Sequence, residues 1–176
     1  VAIFFSTTAR LAAVSEGDRV DLAFTPQINE YRGQRMVQLN LVDIRPDEAM
    51  RTAQDEARAL YARHRAGQPL SCREAEALLP ERQDFVAVWK YLTAYAEDGC
   101  LQEEVGCLSR KIARFAARPC CPGKTWVCLE VFAEQGLLAL EQRPKTLRIR
   151  LTSDGHKVDL ERSEILIHLK KQKAGT

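Results

Sequence analysis

Residues 20–46, VDLAFTPQINEYRGQRMVQLNLVDIRP, constrain the start of this chain more than any other stretch. Val20, Leu22, Phe24 and Ile28 alternate with Asp21, Ala23, Thr25 and Asn29, the period-two pattern of a strand with one apolar face. Gly33 sits in the turn YRGQR, and the return run carries Val37, Leu39 and Leu41 on the buried side while Gln38 and Asn40 face away. Pro26 lacks the N–H of a ladder donor, so the pattern predicts a bulge or an edge position there. The stretch reads as a hairpin of a small barrel, yet only VAIFF at residues 1–5 precedes it as a further strand. The chain also opens at Val1, without Met and inside an apolar strand, and is expected to be a fragment.

Beyond Pro46 the periodicity changes. Residues 47–66 place Ala49, Ala53, Ala57, Leu60, Tyr61 and His64 on one thin helical stripe, predicting a connector helix that Gly67 and Pro69 end. SCRE at 71–74 is a capping box, with Ser71 as N-cap and Glu74 three residues on. RQDFVAVWKYLTAYAE, LQEEVGCLSRKIARFA and GKTWVCLEVFAEQGLL follow as amphipathic helices, the second with Val105, Leu108, Ile112 and Phe115 inward. LLALEQ and TLRIRLTS then read as two strands joined by RPK, before a last helix with a basic tail. Three helices followed directly by a β-hairpin is the order of a winged helix. The expected fold is therefore α+β. Residues 1–46 form a truncated barrel region, 47–70 a connector helix and 71–176 a winged-helix-like accessory domain.

The residues also exclude much. A net charge of +2 neither demands nor forbids a nucleic-acid partner. No apolar run approaches a bilayer span, and no secretory leader opens the chain, so no membrane partner and a cytoplasmic location are expected. The six cysteines contain no CxxC pair, which argues for reduced thiols rather than a zinc site or a disulfide framework. The histidines His64, His156 and His168 are scattered, and no Ser–His or Cys–His spacing marks a nucleophile with its base. No catalytic or metal-ligating residue is expected in this chain.

Two basic runs stand out. Arg110, Lys111, Arg114, Arg118 and Lys124 form one with no acid inside it in sequence. Arg143, Lys145, Arg148, Arg150 and Lys157 cover the wing, where alternation puts Arg148 and Arg150 on one face. Such cations suit phosphate contacts, and a solvated face is the competing reading. On the opening hairpin, Tyr31, Arg32, Arg35 and Gln38 are candidates for a single-strand surface of an aromatic beside cations. The third helix argues against base reading in a major groove, because Glu130, Glu134 and Gln135 are expected on its outer side.

Gly17-Asp18, Ile28-Asn29-Glu30, Gly33, Gln38-Leu39 and Asp43-Ile44-Arg45, with AIFF before them, resemble the end of the OB-fold domain of RecJ-type single-strand-specific exonucleases. PERQDFVAVWKYL and LEVFAEQGLL resemble, more loosely, the C-terminal extension some bacterial members carry. The resemblance implies the non-catalytic C-terminal region of a 5′-to-3′ single-stranded-DNA exonuclease of repair and recombination. It implies a hydrolase parent whose manganese or magnesium is bound elsewhere, at Asp and His clusters such as an Asp-His-His motif, with no cofactor in these residues. Single-stranded DNA, the enzyme's own catalytic core, and a single-strand-binding or other repair protein are the implied partners. The alternative is a winged-helix module that binds protein alone.

Overall fold

The alternation of residues 20–46 folds as one long antiparallel hairpin, in a chain that divides into two compact units, Val1–Thr52 and Ala53–Thr176. The computed structural model describes residues 1–5, 14, 16–31, 33–144, 146–152 and 158–175, residue 31 by its backbone alone. In the first unit β2 (Val20–Tyr31) pairs with β3 (Gln34–Pro46), and the short β1 (Ala2–Ile3) adds to β3 in parallel, giving the order β1-β3-β2. Pro26 pairs with Leu39 on the edge strand β2, so of the two positions expected it takes the edge; the bulge lies at Ala23/Phe24.

Register sorts the hairpin into two faces. Leu22 opposite Ile44, Phe24 opposite Leu41, Pro26 opposite Leu39 and Ile28 opposite Val37 make one face apolar as far as the Glu30–Arg35 pair near the turn. The expected burial of that face is corrected: Ile28 is 62% and Val37 61% exposed, and Leu22 and Phe24 are exposed as well. Among the described residues of this unit nothing covers the face, and Pro46 is the one residue buried.

Helix α1 (Glu48–Arg65) leads into the second unit, where its Tyr61 and His64 are buried. Next come α2 (Cys72–Leu78), α3 (Arg82–Tyr95), β4 (Cys100–Glu103), α4 (Val105–Ala116) and α5 (Pro122–Glu134). The hairpin β5 (Leu138–Gln142) and β6 (Leu147–Leu151), a 3-10 turn at Leu160–Arg162 and α6 (Glu164–Ala174) complete it. Ser71 and Glu74 form the expected capping box. β4 was not expected; residues 101–104 read as the start of a helix. Glu104 is instead the N-cap of α4, its carboxylate accepting from the Gly106 and Cys107 amides at 2.8 and 2.7 Å, which frees Cys100–Glu103 to pair with β6. The resulting sheet has the order β4-β6-β5, antiparallel throughout.

The core of this unit lies between α3, α4, α5, α6 and the sheet, with Val88, Leu92, Leu108, Ile112, Leu129, Ile149 and Leu169 fully buried. Phe115, expected inward, is half-exposed, at the rim of an aromatic group with Tyr91 and Tyr95. All six cysteines are free. Burial pushes the Cys107 thiol up to about 11 and raises that of Cys128 as well, so neither offers a thiolate nucleophile.

Candidate nucleic-acid interface

The second face of the opening hairpin is built from carboxamides. Thr25, Gln27 and Asn29 of β2 share it with Gln34, Met36, Gln38 and Asn40 of β3. Asn29 Nδ2 donates to Gln38 Oε1 at 3.1 Å, Gln38 Nε2 donates to Asn40 Oδ1 at 2.7 Å, and Asn40 Nδ2 donates to Gln27 Oε1 at 2.7 Å. Four amides thus form one hydrogen-bonded ladder across two strands. Gln27 and Asn29 are exposed, Gln38 and Asn40 half-buried. Of the four, sequence reasoning named only Gln38 as a contact. The alternation in PQINE and VQLN carried the signal for the others, since every second residue there is a carboxamide.

Arg35 lies on the opposite, apolar face and pairs at 3.6 Å with the exposed Glu30 directly across from it. Gln38 and Arg35 therefore do not act on one surface. Tyr31 pairs with Gln34 through the backbone at the hairpin end, and Arg32, beside it, lies outside the described residues.

The first basic run is tied to acids that come from other elements. Lys111 binds Glu103, and Arg118 and Lys124 reach Asp84 at 3.0 and 3.8 Å. Asp84 and Glu103 have side chains only 6% and 7% exposed, so these pairs anchor α4 and α5 rather than present charge to solvent. A run without acids in sequence is not one without acids in space. Arg110 is half-buried and Arg114 exposed on α4.

The wing cations stand differently. Arg148 and Arg150 lie on β6, the central strand, on the face away from buried Leu147 and Ile149. Gln102 and Glu141 flank Arg148, and Cys100 and Ala139 flank Arg150. Glu141 pairs with Arg143 at 2.6 Å and with Arg148 at 3.8 Å, while Arg150 is exposed. Lys145, with His156 and Lys157, lies outside the described residues.

Helix α5 presents almost nothing outward; of Pro122–Glu134 only Glu134 is exposed. The expectation that Glu130 faces solvent is corrected by its partner; Glu134 is exposed, and its carboxylate is engaged all the same. Glu130 pairs with Arg65 at 2.9 Å, with a side chain 14% exposed. Burial above all, and then the neighbouring Glu130 carboxylate, push the Tyr61 phenol well up from its ordinary range. Glu134 accepts from Ser163 Oγ and, at 2.7 Å, from the Glu164 amide, fastening the start of α6. The Tyr61 ring stacks on Trp126 at 5.0 Å and 14°. With α1 and α6 packed on it, α5 has no free face to lay into a groove of duplex DNA.

His64 and His168, far apart in sequence, come together with ring centroids 5.8 Å apart. No group of three or more His, Cys, Asp or Glu able to hold a metal ion occurs among the described residues. No helix among them is long and apolar enough to cross a membrane.

Residues 1–43 match the family model of the RecJ OB domain. No curated protein matches the chain. No solved structure matches it. The two-faced hairpin of the first unit thus lies in the stretch that is similar to the RecJ OB domain, which supports a RecJ-related OB region there.

Proposed function

We propose that this chain serves as the non-catalytic, single-strand-holding part of a RecJ-type exonuclease of DNA repair and recombination. The observation that carries the reading is the match of residues 1–43 to the RecJ OB domain over a hairpin with one apolar and one carboxamide face. The apolar face is suited to a barrel interior, and the carboxamide face to solvent and ligand. The second unit acts as a winged-helix accessory domain. Its helix–strand–helix–helix–hairpin order and β4-β6-β5 sheet support that reading. Arg148 and Arg150 supply phosphate contacts from the sheet, and a metal-dependent catalytic core elsewhere in the parent cuts.

A second reading, a domain that docks protein alone, draws on the buried α5 and on exposed Val86, Tyr95 and Phe115 of α3 and α4. Fluorescence anisotropy with a labelled single strand at two or more salt concentrations separates the two. The nucleic-acid reading expects salt-dependent binding, and expects Arg148→Ala with Arg150→Ala to reduce the slope of log affinity against log salt by about 0.7 per lost phosphate contact. It also expects no shortening of the strand with manganese present. An unchanged slope in the double variant removes the sheet from the interface; absence of binding in the parent chain leaves the docking reading.

A further inference from the structure

The carboxamide ladder has hydrogen-bonding capacity that its own bonds do not use. Each carboxamide carries two N–H donors and an oxygen with two lone pairs. The three bonds of the ladder leave at least one donor and one acceptor site on each of Gln27, Asn29, Gln38 and Asn40. The ladder is also reversible. Turning all four amides over exchanges donor for acceptor along the row and keeps every link.

The Watson–Crick edge of every unpaired base sets a donor beside an acceptor. A carboxamide also sets a donor beside an acceptor, a pair that Asn and Gln use bidentately on the N6/N7 edge of adenine. A row able to run in either sense meets any of the four bases without choosing among them. The surroundings suit this, because Thr25, Gln34 and Met36 beside the ladder carry no charge, and the one cation farther along this face, Arg45, pairs with Asp21 at 3.8 Å beside Asp43 rather than standing free for a phosphate.

We propose that the Gln27–Asn29–Gln38–Asn40 face binds the unpaired Watson–Crick edges of nucleobases, so that its preference for single strands is a readout of edges a duplex hides. The proposal rests on the single-strand reading above and goes further, by naming the chemical group recognised. Phosphate contacts from the arginines add affinity without base dependence.

The test uses the full chain and two labelled probes, oligothymidylate and its N3-methylthymidine counterpart. Both carry the same phosphates and the same ring faces for stacking. Methylation removes the N3–H donor and blocks the edge. Anisotropy is expected to show oligothymidylate bound about tenfold or more tightly than the methylated strand. Gln27→Ala with Asn40→Ala should bring that ratio close to one and leave the salt slope unchanged. Equal affinity of the parent chain for both probes overturns the proposal and leaves the single-strand reading standing. Failure to bind either probe overturns both. A double variant that folds, by circular dichroism, and keeps the parent ratio also overturns it. Should the variant not fold, the parent ratio alone decides.

Discussion

His64 shows what burial does to a single side chain. It lies on the apolar stripe of α1, 8% exposed, with Nδ1 buried and without a hydrogen-bond partner. Burial first, then the charges of His168 on α6 and Arg65 on α1, lower its pKa from 6.5. Glu130 of α5 and Glu164 and Lys171 of α6 line the same cleft. A base whose folded pKa is depressed is taken into the fold neutral. Its stabilisation is complete above the unfolded pKa and declines as pH falls below about 6.5 towards the folded value. Acidification from about pH 7.5 to about 5.5 is therefore expected to lower Tm. His64→Gln should remove most of that dependence, as read by circular-dichroism melts. An equal decline in the variant contradicts this assignment. Gly123 shows the opposite constraint, of space. A Cβ there would meet Leu78 Cδ2 at 2.7 Å, inside a core where Leu78 is fully buried, so any larger residue at that position requires Leu78 to shift.

At the scale of elements, α5 is held on several sides. Its Glu130 and Glu134 act through Arg65, Tyr61, Ser163 and Glu164. Glu130→Ala with Glu134→Ala is accordingly expected to destabilise the second unit by about 1–3 kcal/mol in urea unfolding, since one change removes the half-buried partner of Arg65 and the other the acceptor of the Ser163 hydroxyl and the Glu164 amide. Affinity for a single strand should stay within about twofold of the parent. A variant as stable as the parent, or one with altered strand binding, contradicts the structural role given to these carboxylates. The outward position that periodicity suggested failed for Glu130 for a physical reason: helical spacing locates a polar stripe but not which other element supplies its partners. The same limit explains Lys111, Arg118 and Lys124, whose acids Glu103 and Asp84 come from β4 and α3. Local chemistry was legible. The Ser71–Glu74 capping box, the two faces of the β2–β3 hairpin and the shared face of Arg148 and Arg150 all follow from residues within a few positions of one another. β4 was not legible, because four residues without strict alternation become a strand only when β6 is beside them.

For the whole molecule, the two units differ in what they bury. The second has a continuous core from Tyr61 to Leu169. The first is two faces of one small sheet, with its apolar side exposed and its amide side hydrogen-bonded to itself. That division is the basis for assigning strand binding to the first unit and a supporting role to the second. Photo-cross-linking tests it most directly. A 4-thiothymidine single strand is irradiated with the full chain, and the adducts are located by peptide mass mapping. The account predicts adducts concentrated in residues 20–46, with fewer on β6. Adducts confined to α5, with none on β2 or β3, would contradict it.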